Sequence, residues 1–464
     1  MFSNFTKQPS RRSPSRRTMI RSLASASMLL PGMLHEMMAE PNADSQDPLA
    51  PKAPMFPAKA KRVIFLYMSG GVSHVDTFDP KPKLAADHHK RFKKDFLHAS
   101  PWTSKAYASC GTEVTELFPH VGACMDDICL IRSMYNDIPN HPQAILQVHG
   151  GSTLQPRPSI GSWVSYGLGT MSQDLPSYLV LAPEIPYAGS AAWDSSFLPA
   201  FHQGVRVIPG QEAIPNMTRQ GYADIQEMDL GMIDFLNQRH LEQHDADRSL
   251  ATRIKTFETA YGMQKEAPEV FDISQESDAT LELYGLERGT KQGIGWMCLM
   301  ARRLAERGVR FVEVIDGGYD KYTNWDAHLN IRMHEPLAKK ADRPIAGLLK
   351  DLKARGMLDD TLVVWTTEFG RKPGDASPDE EGRTHWSTAY SSWLAGGGVK
   401  GGMVYGSTDE YGYTIASNPV HIHDLQATIL NQLGLDHTKL TFRHAGRDYR
   451  LTDVSGHVIK DILI

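Results

Sequence analysis

Five stretches of the chain are apolar without alternation: RVIFLYM at 62–68, DICLIR at 127–132, SYLVLA at 177–182, VRFVEVI at 309–315 and TLVVWTTE at 361–368. Continuous runs of β-branched and aromatic residues suit strands covered on both faces, as in the parallel sheets of α/β domains. Between them the pattern lengthens to a helical period, as in MCLMARRLAERG ahead of the fourth run and PIAGLLKDLKARGML ahead of the fifth. Helix, glycine-containing turn and strand recur in this order. That predicts right-handed crossovers and a doubly wound, mostly parallel sheet flanked by helices. Region 221–292 is polar and helix-prone and predicts a helical excursion over one side. GDASPDEEGR at 374–383 predicts a loop. WLAGGGVKGGMVYGST lacks the Gly-Lys-Ser/Thr order of a phosphate-binding loop and predicts strand, turn, strand.

Composition narrows the class. The chain has 464 residues, 41% hydrophobic and 22% charged, ample for one large core. A net charge of −5, with no long basic block after the N-terminal region, argues against nucleic acid and against an electrostatic membrane anchor. Cys110, Cys124, Cys129 and Cys298 lack C-x-x-C spacing, which excludes a zinc ribbon and leaves at most one or two disulfides of undefined pairing. Near the N-terminus, Arg16 and Arg17 precede a short Ala/Ser/Leu/Met-rich stretch that ends near residue 40. Basic residues followed by a brief apolar segment are the pattern of an export signal, here of twin-arginine type, and imply a periplasmic or secreted protein. The stretch contains Pro31 and His35 and is too weak to make a stable membrane span. Residues 41–60 read as a Pro/Ala-rich linker and 61–464 as a single domain.

Open α/β sheets bind ligands beyond the carboxyl ends of their strands, so the residues that close each run are the candidates for chemistry. After the first run come Gly70-Gly71 and then Ser73, His74, Asp76 and Asp79. After the fourth, Asp316 and Asp320 precede Asp326 and His328, an Asp-x-His pair of the ligand types zinc accepts. After the fifth come Glu368 and Arg371, then His385. A carboxylate at the rim of an apolar sheet requires a cation or hydrogen-bond donors. Arg371 could serve Glu368 as a plain ion pair, but acid or imidazole at three strand ends favours a shared metal centre. Asn140 is a helix N-cap candidate before Pro142, and His141 adds a titratable donor where a helix N-terminus would receive an anion. His88 and His89 lie in a charged, surface-like segment, while His421 and His423 open a late helix with Asp424.

MSGGVSHVDTFDPKP, NWDAHLN, RGMLDDTLVVWTTEFGRKP, GRTHWS, LAGGGVKGGMVYGSTDEYG and FRHAGRDYRLTDVSGHVIKDI together resemble the exported bacterial proteins grouped as domain of unknown function 1501. That family is similar in fold to the alkaline phosphatase and sulfatase superfamily. The resemblance implies one or two divalent cations at the strand ends, zinc first and calcium or magnesium as alternatives, and a phosphate- or sulfate-ester substrate, including polysaccharide esters. Asp326 and His328 match the superfamily's Asp-plus-His metal pair. Glu368 and Phe369 stand where Asp and His usually follow the strand, and His385 supplies the late histidine. His74 or Asp76 would have to replace the N-terminal aspartate, whose position holds Ser69. The nucleophile position reads Asn140-His141-Pro142, without Cys, Ser or Thr, and the sulfatase modification motif is absent from residues 61–464. His141 is then expected as general acid, base or nucleophile, Arg371 as the balance for leaving-group charge, and Asn140 and Ser73 as substrate contacts. The competing expectation is a non-catalytic protein on a degenerate hydrolase scaffold, binding a glycan or an exported partner with haem-type motifs.

Overall fold

The central sheet of the computed structural model takes its strands from all five apolar runs. The described residues are 48–172, 174–210, 213–214, 223–243, 248–318 and 324–464. The expected export signal, the first part of the linker and Asp320 lie outside them. In chain order the strands are β1 (Arg62–Met68), β2 (Ile128–Tyr135), β3 (Tyr178–Leu181), β4 (Val205–Val207), β5 (Phe311–Asp316), β6 (Thr361–Thr366), β7 (Tyr390–Ala395), β8 (Met403–Tyr405) and β9 (Val420–His421). Their order across the sheet is β8-β2-β7-β6-β1-β5-β3-β4, with β9 also pairing to β2. Every pairing is parallel except those of β7, which runs antiparallel to both β2 and β6.

Successive side chains of a strand point to opposite faces, and here the two sets enter two separate cores. Ile64, Leu66, Met68, Val312, Val314, Val363 and Trp365 pack on one face with α5 (Gly293–Glu306) and α6 (His334–Ala354). Val63, Phe65, Tyr67, Phe311, Ile315, Leu362 and Val364 pack on the other. That second face is covered by α1 (His141–Gly150), α2 (Ile160–Leu168) and α7 (Ile422–Gln432). The polar excursion is helical as expected, in α3 (Ala223–Gln243) and α4 (Arg248–Phe271).

The glycine-rich segment is strand, turn, strand as expected, and it carries the chain across β2, so that β7 and β8 flank β2 on opposite sides. One expectation is corrected. The later part of the linker belongs to the domain. Leu49 and Ala60 are buried, and the backbone of 52–60 donates hydrogen bonds to Leu168, Gln432 and Gly434. All four cysteines are free thiols, three of them buried.

Candidate metal centre

The register of β1 sets Met68 beside Asp316 and Tyr67 beside Thr366, so the carboxyl ends of β5, β1 and β6 form one rim. Gly70 follows β1 at φ +117°, and a Cβ there would lie 2.6 Å from the backbone nitrogens of Trp325 and Asp326. Glycine is required by both the backbone conformation and the close approach. Trp325 donates its backbone N–H to Ser69 (2.9 Å) and its indole N–H to Asp316 (3.0 Å), with the ring wholly buried. Burial pushes the Asp316 carboxyl up to about 6, against the indole hydrogen bond. Asn324 accepts from the Asp326 N–H at 3.0 Å and donates to the Gly318 carbonyl at 2.8 Å. This turn holds Asp326 over the rim.

Around Asp326 three imidazoles converge. His141 Nε2 lies 3.4 Å from Oδ2, while His328 Nε2 and His385 Nε2 lie 3.3 and 3.5 Å from Oδ1. The two latter nitrogens are 2.6 Å apart. One ligand atom from each of the four residues lies within 4.8 Å of all the others, a group able to hold a metal ion. His385 comes from a two-residue strand that pairs with Gly370–Arg371, which returns it to the end of β6. Its Nδ1 donates to the Pro139 carbonyl at 2.9 Å, leaving the Nε2 lone pair for the cluster. His328, in the loop after Asp326, is the most exposed member, its side chain 39% accessible.

Charges divide the cluster. Burial and the neighbouring positive charges of Arg371 and His385 hold His328 down to about 4. Burial likewise lowers His385, despite its hydrogen bond to Asp326. Burial opposes protonation of His141 too, but its bonds to Asp326 and Glu368 outweigh it and raise the pKa. Asp326 would be raised by burial, yet bonds to His141 and His385 and the Arg371 charge hold it far below the usual carboxylate range.

The expected ligand set changes in its membership. Glu368 is fully buried and saturated: Oε1 accepts from the Gly70 N–H (2.8 Å) and meets His141 Nδ1 at 2.7 Å, while Oε2 accepts from the Tyr67 and Thr367 hydroxyls (2.8 and 3.1 Å). It grips the back of His141 and contributes no atom to the cluster, which places His141 rather than Glu368 among the donors. His74 and Asp76 also stay out. Asp76 is buried against Arg383 (2.6 and 3.1 Å) and the Ser73 hydroxyl. His74 Nε2 lies 2.8 Å from the Gly412 carbonyl. Ser73 is wholly buried, its hydroxyl spent on Asp76, so it is closed to a substrate.

Arg371 does not pair with Glu368 and faces no open space. Its guanidinium is 0% exposed and donates to the carbonyls of Gly70, Gly71 and Arg383 and, at 2.6 Å, to Asp326 Oδ1. It positions Asp326 and cannot reach a leaving group without abandoning these partners. Asn140 is the N-cap residue of α1, but its exposed side chain makes no capping bond. His88 and His89 are exposed, and His421 with Asp424 forms a capping box on α7, as expected.

One residue of the site, Tyr187, lay outside the sequence reading, and Phe369 entered it only as the replacement for a histidine. Tyr187 stacks on His141 (centroids 4.5 Å, planes 18° apart) and its hydroxyl lies 3.2 Å from Asp326 Oδ2. Phe369 lies 4.8 Å from His141 and 4.6 Å from His385, an apolar wall beside both. Tyr187 sits in the loop after β3, a position the strand-end argument covers, but its aromatic type carried no ligand signal.

A doubly wound α/β sheet with three histidines and an aspartate gathered at its carboxyl rim defines the class: an α/β protein with a candidate metal centre. The chain belongs to the family described as protein of unknown function (DUF1501), whose pattern matches residues 60–463. No curated protein matches it in sequence. Solved structures to which it is similar include the lipoteichoic acid synthase LtaP from Listeria monocytogenes, at 10% identity and TM-score 0.37, covering 87% of this chain and 78% of that one. A phosphonate monoester hydrolase from Silicibacter pomeroyi is similar at 12% identity and TM-score 0.37, covering 87% and 76%. The PsFucS1 sulfatase from Pseudoalteromonas sp. is similar at 13% identity and TM-score 0.36, covering 81% and 68%.

Proposed function

We propose that this chain is an exported, metal-dependent hydrolase-like protein acting on a phosphate or sulfate ester, including esters of polysaccharides. The observation that carries the reading is the convergence of His141, His328 and His385 through Nε2 on the Asp326 carboxylate. The donor set fits a divalent cation. His141 Nε2 is buried and faces the Asp326 carboxylate at 3.4 Å, too long for a close hydrogen bond, and three imidazoles with one carboxylate suit zinc better than the oxygen-seeking calcium or magnesium.

Bound there, a divalent cation would polarise an ester oxygen and make a water molecule more acidic. The chain's own residues orient and balance. Glu368 fixes the His141 ring through Nδ1, and the Pro139 carbonyl does the same for His385. Arg371 holds the Asp326 carboxylate in place, and Tyr187 and Phe369 shield one side from water. Asp326 and Glu368 against Arg371 leave one net negative charge, so a doubly charged cation would turn the site positive, as an anionic ester requires.

The saturation of Arg371 favours a second reading, a protein that binds an anionic glycan or an exported partner without turnover. Aryl phosphate and aryl sulfate esters offered to zinc-loaded protein separate the two. The hydrolase reading predicts release of the aryl alcohol that stops on chelation and is lost in His385→Ala. Absence of turnover on both ester classes by metal-loaded protein would leave only the binding reading.

A further inference from the structure

Helix α3 (Ala223–Gln243) presents its more apolar face outward. Ile225, Met228, Met232, Ile233, Phe235 and Leu236 are between 51% and 76% exposed. Ile225, Met228, Met232 and Phe235 follow one another at steps of three, four and three, the spacing of a coiled-coil seam. The opposite side of the helix, with Gln226, Leu230, Asn237 and Leu241, is half-buried, and Gln226 bonds to Gln264 of α4 at 2.8 Å. A surface helix normally buries its apolar stripe, so this one is inverted, and the exposed stripe marks an interaction surface.

We propose that α3 is a self-association helix whose stripe packs against the same stripe of a second copy, antiparallel. Charge selects both the partner and the direction. Glu227, Asp229 and Asp234 lie in the first two-thirds of the helix and Arg239 near its end, with Glu242 beyond. Arg239 falls seven residues after Met232, in line with the seam. A parallel pair would set Arg239 against its own copy, whereas an antiparallel pair carries it toward the acidic half of its neighbour. A membrane surface is the wrong partner, because helices that lie on anionic lipid carry Lys and Arg along the polar face and this one carries acids.

The test uses the full chain. Light scattering behind size exclusion, over a range of protein concentrations, should give a dimer. Met232→Asp, a change at an exposed position, should weaken it at least about tenfold with the circular dichroism spectrum unchanged. In a Cys110→Ser background, a short bismaleimide should join copies carrying Met232→Cys near the helix midpoint and fail to join copies carrying Ile225→Cys. A wild-type monomer throughout, a dimer indifferent to Met232→Asp, or cross-linking through both positions would each overturn the proposal. A monomer that pairs only after deletion of residues 1–47 would assign the stripe to that segment instead and overturn it equally.

Discussion

His141, and not Glu368, is the member of the pair that joins the cluster. A glutamate closing an apolar strand invites reading as a ligand, yet its four hydrogen-bond partners are all supplied by the protein, and the imidazole it grips is what reaches Asp326. Which of two adjacent acidic or imidazole groups touches an ion is decided by a few ångströms, and a one-dimensional pattern carries no such resolution. Asp326, His328 and His385 were legible because each closes or follows a strand. The Asp76–Arg383 pair, 307 residues apart in the chain, was not. Glu368→Gln keeps the shape and removes the charge that orients His141, so zinc affinity, read by chelator competition, should fall about 10–100-fold. Arg371→Met should cost about 3–5 kcal/mol in denaturant unfolding, because it strands the Asp326 charge and three backbone carbonyls. A loss below about 1 kcal/mol would mean that the buried guanidinium is not what holds Asp326.

At the scale of elements, the five apolar runs became strands with ends shifted by three residues at most, since burial on both faces leaves an unbroken signature. Helix α6 begins at His334, ten residues before the expected start at Pro344, because the helix tolerates the proline inside it. Pairing across the sheet is set by long-range packing, which is why the β7-β2-β8 order escaped the sequence. Turns matter more than strands for the site. Gly70→Ala would push a Cβ into the backbone of Trp325 and Asp326, and should cost roughly 1–3 kcal/mol together with metal binding. Between α1 and β5, His149 Nε2 meets Glu313 at 2.7 Å in the core, and Tyr178 donates to the same carboxylate. Burial disfavours the imidazolium, but the Glu313 charge and hydrogen bond outweigh it and raise the His149 pKa above 6.5. A raised folded pKa means that the pair's contribution to stability is complete below the ordinary histidine value. It is lost as pH rises through the folded value. Stability measured by denaturant from pH 6 upward should therefore decline, and replacing both His149 and Glu313 by Leu should remove that component of the slope.

For the whole molecule, the sheet brings groups from five separate segments to one rim: His141 after β2, Tyr187 after β3, Asp326 and His328 after β5, Glu368 after β6, and His385 from the ribbon beyond it. Among the described residues no helix is long and apolar enough to cross a membrane. An ion held by groups so far apart in sequence binds the folded chain and not the unfolded one. At a free concentration a hundred times its dissociation constant it should add about 2.7 kcal/mol of stability, and chelation should lower the melting temperature accordingly. The most direct measurement is elemental analysis of the purified full chain, alongside Asp326→Ala with its fold verified by circular dichroism. One equivalent of zinc, or of another divalent ion, in the wild type and its loss in the variant are the predicted result. Wild-type protein that carries no divalent ion after incubation with zinc and desalting would contradict the metal centre outright.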